Sequence, residues 1–305
     1  MTLDAYITEL SDESTPVKRS GLLQLSSLTR DDVRDFRHHW RGVGRQRRRE
    51  VLAALVELSE DNLELDFSAV YRSCLSDECE MVREQATRGL IETDDRAIIR
   101  PLIGLLKDDP SVKVREAAAI TLSQFADMAQ QGKLMSRDED RVRDALLAAI
   151  GRSEEDVDVQ RRAIEAVGSF NTTQISGILR AAYESDDSAM RQSAIYAMGR
   201  SSDSHWLPIV LREVNAVDPA IRYEAANACG LLGDESTIPQ IAALIGDEDI
   251  EVQCAAAIAL GNIGGPMAKR ALRHAVEIGD DALTEAAAEA LENLEFDEDP
   301  LGFGF

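Results

Sequence analysis

Residues 157–170 read VDVQRRAIEAVGSF, and three later blocks follow the same pattern: SAMRQSAIYAMGRS from Ser188, PAIRYEAANACGLL from Pro219 and IEVQCAAAIALGNI from Ile250. Each block starts 31 residues after the one before. The apolar anchors Val159, Met190, Ile221 and Val252 are followed four positions later by Ala163, Ala194, Ala225 and Ala256. Eight positions on come Val167, Met198, Cys229 and Leu260, and then Gly168, Gly199, Gly230 and Gly261. Spacings of four and eight draw one apolar face on a helix, Ala lets helices approach closely, and the Gly is expected to end the helix. A second, shorter amphipathic segment follows in each repeat, opened by Pro at Pro101, Pro208 and Pro239, where a fixed φ suits the first helical turn. Each repeat is therefore predicted to be a helical hairpin.

The template extends upstream through Val114, Val82 and weaker copies at 48–56 and 17–25, and downstream through Leu283, Ala287 and Leu291. That makes nine first helices, eight of them with a partner. A hairpin of this length cannot bury its own apolar face, so neighbours must stack into a continuous core and the terminal repeats must differ. The motif DSAMR at Asp187–Arg191 and DPAIR at Asp218–Arg222, each followed by an Ala-rich stretch and Gly, resembles a HEAT repeat. The short period and the Ala/Gly-rich first helices resemble the subclass named after phycobilisome lyases, and the likeness spans about residues 14–294. It implies an all-α fold, a right-handed α-α superhelix of about nine HEAT-like hairpins, with second helices on the concave face. The whole chain also resembles a group of uncharacterised bacterial HEAT-repeat proteins, a likeness that brings no function with it. The organisation expected is one solenoid over 1–295, with an insertion at about 127–140 in the fourth repeat, and an acidic, aromatic tail over 296–305.

Composition agrees. Of 305 residues, 44% are hydrophobic and only 5% aromatic, which suits packed helices better than sheets. A formal charge of −23 repels nucleic acid and anionic membranes as a whole, so any anion site must be local. No apolar run is long enough to span a membrane, and the acidic start MTLDAYITELSDES is unlike a signal peptide; a cytoplasmic protein is expected. The four cysteines, Cys74, Cys79, Cys229 and Cys254, show no metal or redox spacing and read as reduced core residues.

Enzymes occur on this kind of fold. HEAT-type hydroxylases carry His-Glu pairs as iron ligands, but here His38, His39, His205 and His274 are followed by His, Trp, Trp and Ala. Bilin lyases are the other enzymatic relatives implied, and no Cys/His or Ser/His/Asp arrangement is legible. The expectation is therefore no catalytic residue, no metal and no cofactor, with a bilin-lyase-like enzyme or enzyme subunit as the alternative. The Arg that follows several anchors (Arg83, Arg115, Arg191, Arg222), with Gln160 and Gln253 in its place elsewhere, is read as a tie between neighbouring hairpins and the helix-start acids Asp156, Asp187, Asp218 and Asp249.

Departures from the repeat point to binding. Residues 30–49 hold eight Arg against three Asp, a local charge of +5 that leaves −28 for the rest of the chain. Arg30, Arg34, Arg37 and Arg41 fall on one helical stripe with Trp40 nearby, and Arg45 and Arg48 follow. Arginine forks beside an aromatic suit carboxylate or phosphate. The −28 background opposes nucleic acid beyond about one Debye length, ~8 Å, so an acidic protein segment is the preferred ligand and a nucleic-acid binder using 30–49 the weaker alternative. Neutralisation of this face by neighbouring acids also stays open. The insertion is expected to project as a loop. On the second helices Arg180, Tyr183, Trp206, Arg212 and Arg273 offer hot-spot types for a partner. In the tail, Phe303 and Phe305 follow five uncompensated acids and either cap the last helix or dock elsewhere, which allows head-to-tail self-association. The function expected is a non-enzymatic protein-interaction scaffold.

Overall fold

The computed structural model describes residues 3–62 and 64–298, and all regular structure among them is helical. The α-helices in order are α1 (Leu3–Leu10), α2 (Arg19–Leu22), α3 (Arg30–Trp40), α4 (Arg45–Asp61), α5 (Ser68–Cys74), α6 (Glu80–Arg88), α7 (Ile99–Asp108), α8 (Val112–Gln130) and α9 (Ser136–Ile150). They continue as α10 (Val157–Val167), α11 (Thr173–Tyr183), α12 (Ser188–Arg200), α13 (Leu207–Glu213), α14 (Pro219–Leu232), α15 (Ile238–Ala243), α16 (Ile250–Ile263), α17 (Gly265–Ile278) and α18 (Asp281–Glu298). The chain divides into two compact units, residues 1–166 and 167–305.

In the first unit α2 packs on α4, α4 on α6 and α6 on α8, making a row of first helices. Beside it α1 packs on α3, α3 on α5 and α7 on α9, a row of second helices. In the second unit α12, α14, α16 and α18 form the first row, and α15 packs on α17 in the second. Most anchors read from the 31-residue period lie in the core: Ile221, Ala225, Cys229, Val252, Ala256 and Leu260 are buried, as are Val82, Ala86, Val114, Ala118 and Leu122, while Met190 is only half-buried.

Gly168 follows the last residue of α10 as expected, but at the other three positions the recurrent glycine has a different role. Gly199, Gly230 and Gly261 lie inside α12, α14 and α16, which run on past them. A Cβ on Gly199 would come within 2.6 Å of Ala228 Cα, and one on Gly230 within 2.8 Å of Ala259 Cα. Gly168 meets the backbone of Ala197 and Gly261 meets Ala290 in the same way. Each glycine thus abuts an alanine of the next first helix, 29 residues on. The positive φ that ends a helix belongs instead to Gly233 after α14, at 66°, and to Gly264 after α16, at 75°.

The arginine after the anchor does tie hairpins together, through a different acid. Arg222 grips Asp247 with Nε and one terminal nitrogen, both at 2.7 Å, and donates its other terminal nitrogen to the Ala216 carbonyl. Arg83 does the same to Asp109 and the Asp77 carbonyl, and Arg115 to Glu155 and the Asp109 carbonyl. The acid stands in the loop that opens the next repeat. The helix-start residues Asp187, Asp218 and Asp249 are N-caps, accepting from the second or third amide beyond them, which satisfies donors the helix leaves open. Arg191 is the exception: the loop residues that would supply its acid are Ala216 and Val217, and it pairs with Glu213 at 3.5 Å instead.

The extra residues of the fourth repeat do not project as a long loop. They lengthen α8 to 19 residues and α9 to 15, leaving a turn at 131–135. The reason is visible in the pattern: Leu122, Phe125 and Ala126 continue the buried stripe at helical spacing, and Leu134 is buried beyond the turn.

Candidate functional site

The second-helix row of the first unit carries a cleft of about 490 Å³ between α3 and α5. A capping box of Thr29 and Asp32 starts α3 and sets its register. That register turns Phe36 and Trp40 inward, stacked at 4.9 Å, and leaves Arg30, Arg34, Arg37 and Arg41 exposed. Arg37 and Arg41 line the cleft, opposite Arg72, Ser73 and Ser76. Arg37 donates from Nε to Ser73 Oγ at 3.0 Å, and Arg72 pairs with Asp95. No carboxylate lies within ion-pair distance of Arg41 among the described residues. A neighbouring cavity of about 380 Å³ shares Arg37, Arg72 and Ser76 and runs on to Ile98 and Pro101 of the next second helix.

The structure separates the expected binding residues by burial. Arg34 is exposed and paired with Asp31 and Asp35. Trp40 is only 4% exposed and its indole N–H donates to Asp77 Oδ2, so it floors the cleft and cannot stack on a ligand from outside. Arg48 is equally buried and bound to Asp77 and Glu78, a structural role rather than a contact role. Both are drawn inward because Asp77, itself buried, needs donors. Arg45 is exposed and sits on Cys79. Burial pushes the Cys79 thiol up, but the Arg45 contact and the amides of Val82 and Met81 outweigh it and hold the thiol below its usual value.

In the second unit the hot-spot candidates are tied in pairs, Arg180 to Trp206 and Tyr183 to Arg212. Trp206 is 1% exposed, a core residue with the Arg180 guanidinium 5.5 Å above its ring. Tyr183 is half-buried between Arg191 and Arg212, and its hydroxyl donates to Glu213 and accepts from Arg212. Burial and the Glu213 carboxylate push this phenol up. Trp206 is thus a packing element, Tyr183 stays half-buried, and Arg180, Arg212 and Arg273 remain exposed. Phe303 and Phe305 lie outside the described residues.

One groove was legible in the sequence only in part, through Arg273. This groove of about 930 Å³ runs between α15 and α17, floored by Ile238, Pro239, Ala242 and Ile245 and rimmed by Lys269, Arg270, Arg273 and His274. The basic spacing of α17 was the available signal, but the facing apolar floor comes from another repeat. Among the described residues no group of three or more His, Cys, Asp or Glu side chains converges to hold a metal, and no helix is long and apolar enough to cross a membrane.

A sequence family model described as HEAT repeats matches residues 68–151, 143–214 and 206–292. Among solved structures, the complex of CpcE and CpcF of phycocyanin lyase from Nostoc sp. PCC7120 aligns with a TM-score of 0.56 at 17% identity, covering 93% of this chain and 97% of that one. Yeast importin-beta (Kap95p) aligns with a TM-score of 0.56 at 16% identity, covering 98% of this chain and 47% of that one. At such identities the likeness is one of fold. No curated protein sequence matches the chain significantly.

Proposed function

Since the chain belongs to the HEAT-repeat family, we propose that it is a non-enzymatic scaffold whose second-helix row binds a protein partner through a short acidic segment. The observation that carries this reading is the cleft in which Arg37 and Arg41 stand exposed on α3. The Phe36–Trp40 stack fixes the helix that holds them, and the hydrogen bond from Arg37 Nε to Ser73 Oγ holds one of the two forks in place. Arginine forks of this kind match carboxylates in pairs. Glu78, 77% exposed at the same cleft, limits the positive charge to a small spot, which suits one or two carboxylates better than a continuous phosphate backbone. The phycocyanin lyase structure, a complex of CpcE with CpcF, supports a protein partner in the same fold.

The test is capture of partners from the native cell on the wild-type chain and on Arg37→Glu/Arg41→Glu. The expected result is a protein retained by the first and weakened tenfold or more on the second, with thermal melting unchanged, because exposed charge reversal acts on binding. Equal retention on both sinks the reading. The phycocyanin lyase likeness also raises a second reading, a chromophore-handling enzyme; a tetrapyrrole absorption band that follows the purified protein favours it.

A further inference from the structure

We infer that the groove between α15 and α17 is filled by the chain's own residues 299–305, so that the acidic, phenylalanine-bearing segment acts as a tethered competitor for this surface. The inference concerns a different site from the N-terminal cleft and stands independently of it. Its first support is position. Helix α18 packs back along α17, and Leu294 lies beside Gly264, where α17 begins. Glu295 reaches the groove rim itself, 3.5 Å from Arg273. The C-terminal turn of α18 therefore ends near the start of α17, where Pro266 and Met267 line the groove.

The second support is chemical fit. The rim offers Lys269, Arg270 and Arg273, with Glu277 the one acid among the lining residues, to a segment whose acids are Glu295, Asp297, Glu298 and Asp299. Next in the sequence stands Pro300, a residue unsuited to a helix interior. After it, Leu301, Phe303 and Phe305 alternate with glycine, so an extended backbone places all three on one side. That side matches a floor of Ile238, Pro239, Ala242 and Ile245, beside which Met267 is left 55% exposed. Length agrees too: seven extended residues reach about 24 Å, and a 14-residue helix such as α17 is about 21 Å long.

Tethering decides between the chain's own segment and a second copy. A short linker gives an effective concentration on the order of millimolar, which an untethered copy at micromolar concentration does not match. A partner that uses the groove must then displace the segment.

A labelled peptide with the sequence of residues 292–305 is titrated against the full chain and against the full chain carrying Phe303→Ser and Phe305→Ser. The peptide is expected to bind the serine variant at least tenfold more tightly, because the tethered occupant has lost its anchors. Adding Arg270→Glu, or separately Met267→Asp, to the serine variant is expected to abolish that binding, with circular dichroism checking that each folds. Equal affinity for both chains, no affinity for either, or binding indifferent to Arg270→Glu and Met267→Asp overturns the inference. A wild-type dimer in light scattering that the serine changes dissociate also overturns it, assigning the groove to a second copy.

Discussion

Arg222 and Asp247 show how much of the repeat's stability rests on single residues. Both are largely buried, and the guanidinium also satisfies a main-chain carbonyl, so removing one partner strands a buried charge. Arg222→Ala is expected to cost about 3 kcal/mol in urea denaturation. Arg191→Ala, whose side chain is more exposed and whose partner stands at 3.5 Å, is expected to cost less than about 1 kcal/mol. The pair also sets a pH dependence. The hydrogen bonds from Arg222 hold the Asp247 carboxyl below its ordinary value. Its stabilisation is therefore fully present above about pH 4, the unfolded value, and is lost as pH falls through the lower folded value. The gap in stability between wild type and Arg222→Ala should narrow across that acidic window, and a gap that stays constant there refutes the assignment.

At the scale of the element, what matters is how closely first helices approach. Gly230→Ala puts a Cβ against the Ala259 backbone, which cannot swing away as a side-chain tip does, and is expected to destabilise by about 1–3 kcal/mol. Gly177, within α11, has open space where its Cβ would stand. Gly177→Ala is expected to stabilise by about 0.5–1 kcal/mol, the helix-propensity gain alone. Opposite signs for the two substitutions, measured by thermal or urea denaturation, distinguish a close-packing glycine from a tolerated one. A 31-residue period announces that glycine recurs; whether it ends a helix or admits a neighbour depends on the adjacent repeat.

Over the whole molecule the charge of −23 sets which ligands can approach. With the surplus cations confined to small spots, a 20-base-pair DNA duplex is expected to show no binding in a mobility-shift assay near physiological salt, where screening acts within ~8 Å. Tight, steeply salt-dependent DNA binding lost in Arg37→Glu/Arg41→Glu would replace the protein partner with nucleic acid. The helices, the hairpin repeat, its buried anchors and its inter-repeat arginines were legible in the amino-acid sequence, because a helix declares its buried face by spacing alone. The candidate sites were legible only in part. Spacing located the Arg37 and Arg41 stripe, but whether a residue on such a stripe is exposed depends on what stands opposite: Asp77 draws Trp40 and Arg48 inward, and Glu213 ties Tyr183. The groove between α15 and α17 pairs an apolar floor from one repeat with a cationic rim from the next. Local patterning thus determined the elements and their inward faces, whereas tertiary packing decided which polar and aromatic side chains are spent on burial and which remain to meet a partner.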